Sequence, residues 1–287
     1  MKKHIYLLTF LLLITKVDAQ LYNNDFQAGI SNVAFGGVVG GIGAVINKKK
    51  TDKTGKTFLK GFYKGAIGGL LVFESKNMLR YAEKNRSMAY FWPSKILNST
   101  GVSIIENAVA NRGTLEQLHI NFAFNRFDFY TKEKFRVQYR ILPLSLTSTI
   151  YNLSKYQFDT KLTLQTGTPF YYTKNDSQLI HIGGATLFNN IVLDNYYKTI
   201  DPRFPQYYDY RYGLINHEMI HVYQYETLFS FDGYLNKPLK NLERIPFYKK
   251  YSKYFYPEYG QAINLLFKAN KQDGFIEREA QYYSHRY

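Results

Sequence analysis

From Phe26 to Asn47 the chain carries no charged residue, and six glycines fall at positions 29, 36, 37, 40, 41 and 43. Their three- and four-residue gaps stack them on helix faces. The run KKKTDKTGK (Lys48–Lys56) interrupts with a polar turn. GFYKGAIGGLLVF then sets Gly61, Gly65 and Gly69 on one face of a second helix. Two small-residue faces joined by a short loop predict an antiparallel hairpin with close backbones, a pattern familiar from helices packed in lipid. In water each such glycine costs about 1 kcal/mol of helix stability relative to alanine, which tertiary packing must offset. The first segment is long enough to span a bilayer. The second is not, because Lys64 and Glu74 bracket only nine uncharged residues. Residues 20–113 are therefore expected to form a glycine-rich helical region, buried or membrane-associated. A third helix is predicted over Val102–Asn111, with Ser103 and Glu106 at capping-box spacing and Asn111-Arg-Gly113 as its stop.

The period changes to two between Leu115 and Leu193. LHINFAFNRFDFYT, FRVQYRILPL, FDTKLTLQTG and ATLFNNIVLD predict a mostly antiparallel sheet of four or more strands, with Pro143 and Pro169 at edges, bulges or turns. A helical pattern returns from about Tyr212 to Phe229. A Lys- and Tyr-rich connection follows, then a final helix that starts near Gly260 or Asp273. The expected fold class is α+β: an N-terminal helical hairpin, a central mostly antiparallel sheet and C-terminal helices, with residues 114–287 as the second region.

Residues 1–19 stand apart. Lys2 and Lys3 precede an apolar run from Ile5 to Ile14, and small residues end at Ala19, which matches a secretory signal cleaved before Gln20. Export places the protein in the periplasm, at the outer envelope or outside the cell. The chain has no cysteine, which excludes disulfides, thiolate metal ligands and a lipidated cysteine. The formal net charge is +15, and loss of residues 1–19 removes only three lysines and one aspartate of it. An exported chain this basic points away from nucleic acid and towards an anionic membrane surface or acidic cell-envelope material. The same charge also keeps a surface rich in tyrosine (28 residues) soluble.

The candidate chemistry lies in INHEMIHVYQYE, Ile215–Glu226. On a helix His217 and His221 project from one face, one turn apart, so both imidazoles reach one metal ion. Glu218 lies about a hundred degrees round the helix. It is too far round to be a ligand, but well placed to take a proton from a metal-activated water. With Gln224 and Thr227 in place of Gly and His, the HExxHxxGxxH arrangement is excluded. A downstream carboxylate must complete the site, and Glu243, Glu258, Glu277 and Glu279 are the candidates. GFIEREAQYY is the strongest segment, because Ala280 would let it pack against the first helix.

HEMIHVYQ followed by EREAQYY resembles the glutamate-zincin metallopeptidases, in the form with an HExxHxxQ helix and a later ExEA or ExxAD helix. The resemblance is confined to these two motif helices. It implies a zinc (Zn2+) enzyme that cleaves peptide or protein substrates, with His217, His221 and Glu277 as ligands and Glu218 as general base. Glu279 becomes an alternative ligand, a contact behind the ligands or a salt-bridge partner. Gln281 stands where ExxAD forms have Asp. The family's edge strand above the motif helix maps onto ATLFNNIVLD, where substrate would pair by strand addition. Tyr282, Tyr283 and His285 are candidate oxyanion donors, while Asn216, Gln224 and His181 suit supporting roles. Two other readings stand beside this one. The first is a membrane-associated binding or structural protein with a vestigial or structural zinc site. The second is a zinc hydrolase acting on a non-peptide bond.

Overall fold

The computed structural model describes residues 22, 24–174, 183–196, 205–235, 237, 242, 244–267 and 274–284. The signal-like residues 1–19 lie outside this set, as do His181, Glu243 and His285. The protein is α+β, with three long helices at its N-terminal end, two small sheets, and the motif helices packed back onto the first three.

Helix α1 (Asp25–Asn47) is capped by Asn24, whose side chain accepts from Gln27 N at 3.0 Å. A polar turn leads into α2 (Thr54–Lys84), which runs well past the expected glycine segment. The backbones touch where Gly36 meets Gly65. A Cβ on Gly65 would collide with the Gly36 carbonyl oxygen, so no other residue allows this approach. Helix α3 (Phe91–Val109) crosses α2 at Gly68 and Gly101 in the same manner. It begins eleven residues before the predicted Val102 start. Pro93 lies in its first turn, where a missing N–H costs little. The predicted capping box is therefore mid-helix: Ser103 Oγ donates to Ser99 O at 2.6 Å, and Glu106 pairs with Arg126.

The strands divide into two sheets. β1 (Gln117–Phe122), β2 (Asn125–Tyr130) and β3 (Arg136–Ile141) form an antiparallel meander. Pro143 is not at a strand edge or bulge; it opens helix α4 (Pro143–Lys155), which the alternation of polar and apolar residues had concealed. In FDTKLTLQTG only β4 (Gln157–Asp159) is extended. Asp159 then caps helix α5 (Thr160–Thr166) by accepting from Leu162 N at 2.8 Å, and Gly167 ends it with φ +70°. Local capping chemistry overrides the two-residue period there. β5 (Phe170–Tyr172) follows Pro169 and pairs with β4. ATLFNNIVLD is a hairpin and not one strand: β6 (Gly184–Leu187) turns at Phe188-Asn189 into β7 (Asn190–Leu193). The order β4-β5-β7-β6, with β5 and β7 parallel, leaves β6 at an edge.

The motif helix α6 spans Pro205–Thr227. After a 3-10 turn and the short helix α7 (Asp232–Leu235) come α8 (Pro246–Tyr251), α9 (Tyr259–Phe267) and α10 (Phe275–Ser284). The predicted final helix is thus two helices separated by residues outside the described set. Two apolar clusters hold the molecule together. One joins Phe73 and Leu79 of α2 to Ile215, Met219 and Tyr223 of α6 and Ala280 of α10. The other joins Val39 of α1, Val72 of α2 and Ile105 of α3 to Leu142, Phe229 and Tyr256. Each cluster draws on both the hairpin and the C-terminal half.

Candidate metal centre

Ile215, Met219, Ile220, Val222 and Tyr223 are fully buried, which fixes the rotation of α6 about its axis. His217 and His221 therefore turn together towards α10, which is seated by the buried Ala280. Their Nε2 atoms lie 3.2 Å apart. Glu277 from α10 meets both, Oε1 at 3.0 Å from His217 Nε2 and Oε2 at 3.2 Å from His221 Nε2. These three residues, remote in sequence, place their donor atoms within 4.8 Å of one another.

The surrounding hydrogen bonds decide which atoms carry protons. Ser284 Oγ donates to Ala280 O at 2.8 Å, so its lone pair faces His217 Nδ1 at 3.3 Å. Gln224 Nε2 donates to Ile276 O and to Glu279 Oε2, which leaves Gln224 Oε1 to accept from His221 Nδ1 at 2.8 Å. Both Nδ1 atoms are therefore donors, and both Nε2 atoms keep their lone pairs. Two imidazoles and a carboxylate thus converge, an arrangement that could hold a metal ion at its focus. Glu277 meets each histidine with a different carboxylate oxygen, at 3.0 and 3.2 Å. Burial draws the His221 pKa down, but Glu277, Glu218 and Gln224 outweigh it and raise it. The His217 and His221 contacts hold the Glu277 carboxyl well below its ordinary range. Both shifts arise from the pairing of the histidines with Glu277. The Glu277 side chain is 35% exposed, against 11% and 10% for the histidines, so one side of the group is open to solvent.

Glu218 is buried beside this group, under the edge strand β6. Thr186 Oγ1 donates to Glu218 Oε2 at 2.6 Å and also to its backbone carbonyl at 3.1 Å. A Cβ at position 184 would come within 2.8 Å of Glu218 Oε1, so Gly184 is what lets the strand close over the carboxylate. Burial raises the Glu218 pKa, opposed by His221, His217 and the Thr186 hydroxyl. A buried carboxylate with a raised pKa beside the histidines is suited to receive a proton.

Glu279 points away from the ligands into a dry contact with the hairpin. It accepts from Lys76 Nζ at 2.9 Å, Gln224 Nε2 at 2.9 Å and Tyr22 Oη at 3.3 Å. Lys76 also donates to Asn32 Oδ1 at 2.9 Å. A continuous path thus runs from His221 through Gln224 and Glu279 to Lys76 on α2 and Asn32 on α1. Asn216 holds the other side of α6 by donating to Leu79 O and Glu83.

The other proposed residues fall elsewhere. Glu258 is no ligand: it caps α4, accepting from the Ser145 hydroxyl at 2.9 Å and from the Leu144 N–H. The Tyr282 hydroxyl donates to Asp25 at 2.6 Å beneath the Arg80 guanidinium, which commits it to the hairpin and corrects its reading as an oxyanion donor. Tyr283 is buried beside Lys76 and Arg80. Thr186, Ser284 and Lys76 escaped the sequence reading. Only Lys76 left a trace there, as a charge in register with Val72 and Leu79 on the buried face of α2.

Comparison with protein-family models, characterised proteins and solved structures finds no match to this chain.

Proposed function

We propose that the protein is an exported zinc-dependent metallopeptidase. One observation carries this reading: hydrogen bonds fix His217 and His221 as lone-pair donors that converge with Glu277, and Glu218 is buried beside them. Two imidazoles and one carboxylate suit zinc, and a three-ligand set leaves a position for water or substrate. Zinc held there supplies Lewis-acid polarisation of a carbonyl and a more acidic water. The chain's own residues supply the rest. Glu218 receives the water proton and passes it to the leaving amine. Thr186 orients that carboxylate. β6, an edge strand among the described residues that lies over α6, offers backbone hydrogen bonds to an extended peptide. The resemblance of HEMIHVYQ and EREAQYY to the glutamate-zincin motif helices supports the same chemistry, and the signal-like residues 1–19 support a site of action outside the cytoplasm.

A second reading follows from Glu277, which ties α10 to α6 through the cluster. In a binding or structural protein, a metal there would serve only as a clamp between these helices. Metal content and cleavage of a broad peptide library, measured for wild type and Glu218→Ala, separate the two. A peptidase binds about one zinc in both proteins and cleaves only as wild type. Zinc without turnover on any peptide leaves the clamp, and no stoichiometric metal removes both readings.

A further inference from the structure

Helix α1 passes the length and composition test for a membrane span, yet 44% of its most apolar window is buried inside the protein. Its glycine face is closed against α2, and Val39 belongs to the cluster that includes Phe229 and Tyr256. Spanning a bilayer would strip these contacts away. What remains unpartnered is the hairpin's other face. Phe26 and Ile30 on α1, and Leu59, Tyr63, Ile67 and Leu70 on α2, are all exposed, with Phe26 at 75% and Tyr63 at 65%. An apolar groove between the two helices, lined by Gly29, Val33, Phe62 and Phe73, adds apolar surface at the Phe26 end of the hairpin. On α1 the groove and the exposed residues run from Phe26 to Ala34, about 12 Å at 1.5 Å per residue. A patch of this kind on a folded protein marks an interaction surface.

Charge decides what covers it. The turn joining the two helices and the start of α2 carry Lys48, Lys49, Lys50, Lys53, Lys56 and Lys60, opposed only by Asp52. Five of these lysines are exposed. A second copy of a chain with net charge +15 would bring like charges to this face. Anionic headgroups above an acyl layer match both the lysines and the apolar side chains. We propose that the hairpin lies flat on an anionic bilayer, with Phe26, Ile30, Leu59 and Tyr63 entering the headgroup boundary and the turn lysines on lipid phosphates. This docking is independent of the chemistry at His217.

The test is co-sedimentation of the full chain with phosphatidylcholine vesicles, with and without phosphatidylglycerol. Binding is expected only when phosphatidylglycerol is present, and it should weaken with salt. The paired substitution Ile30→Glu/Tyr63→Glu should weaken it at least tenfold, a loss residues 1–21 cannot explain because they are unchanged. Lys49→Gln/Lys50→Gln should weaken it about fivefold per charge removed. Both sites are at the surface, so an unchanged thermal melt will certify each variant's fold. Failure to bind phosphatidylglycerol vesicles overturns the proposal, as does binding that Ile30→Glu/Tyr63→Glu leaves intact. Self-association that the same pair abolishes, read by sedimentation velocity, would assign the face to a second copy instead and equally overturn it.

Discussion

Two of the ionisable side-chain clusters among the described residues are built on opposite plans. In the first, Arg126 of β2 is fully buried between Glu106 and Asp128, with N–O distances of 2.8 and 3.0 Å. Arg140 completes the balance on Asp128 at 2.6 Å, and the Tyr256 ring lies 3.8 Å from the Arg126 guanidinium carbon. Two cations face two anions, and Gln117 and Tyr256 satisfy remaining lone pairs. In the second, His217, His221 and Glu277 are all lone-pair donors aimed at one another, with one member a third exposed. The first cluster is complete as folded. The second is a group that could hold a metal ion. Charge balance and proton placement, more than burial, separate a structural ion network from a binding centre.

The sharpest way to break this contrast is to remove Arg126. Arg126→Met leaves two buried carboxylates without their shared cation and should cost about 3–5 kcal/mol of stability, seen as a fall in the urea midpoint. If Arg126→Met instead costs under about 1 kcal/mol, the closed cluster is not structural. The candidate metal centre should respond differently, in affinity before stability. Gln224→Leu removes the acceptor that holds His221 in its Nδ1–H form, and should weaken zinc binding about ten- to a hundredfold in chelator competition. Unchanged zinc affinity would show that Gln224 does not set the tautomer.

The smallest effect is on acid stability. Arg126 and Arg140 overcome burial and hold the Asp128 carboxyl below its ordinary pKa. A depressed folded pKa means that its stabilisation is fully present above the unfolded value of about 3.9 and is lost as pH falls through the folded value. Unfolding free energy should therefore drop on acidification below about pH 4, and Asp128→Asn should flatten that drop. An identical acid slope in Asp128→Asn would remove Asp128 from the balance.

Much of this arrangement was legible in local patterns. Glycine spacing identified the hairpin, because backbone contact between helices tolerates almost no side chain. The separation of His217 and His221 put them on one face, because 3.6 residues per turn leaves little choice. The misreadings have equally local causes. Leu162 and Leu164 alternate like a strand, but the Asp159 cap and Gly167 make a helix turn of the segment. Ser103 and Glu106 have the spacing of a cap, yet their partners are His119 and Arg126 from the following strands.

Local pattern set the short-range relations: helix faces, the hairpin turn, and a Glu beside two histidines one turn apart. Which distant groups meet them was settled by packing of the folded chain. Glu277 rather than Glu258 reaches the histidines because Ala280 seats α10 on α6 while Glu258 caps α4. Lys76 lies more than two hundred residues from Glu279, yet the packing of α2 against α10 brings them to 2.9 Å. Periodicity encodes neighbours along one helix. Contacts between helices depend on how buried faces pack in three dimensions, and that is a property of the whole chain.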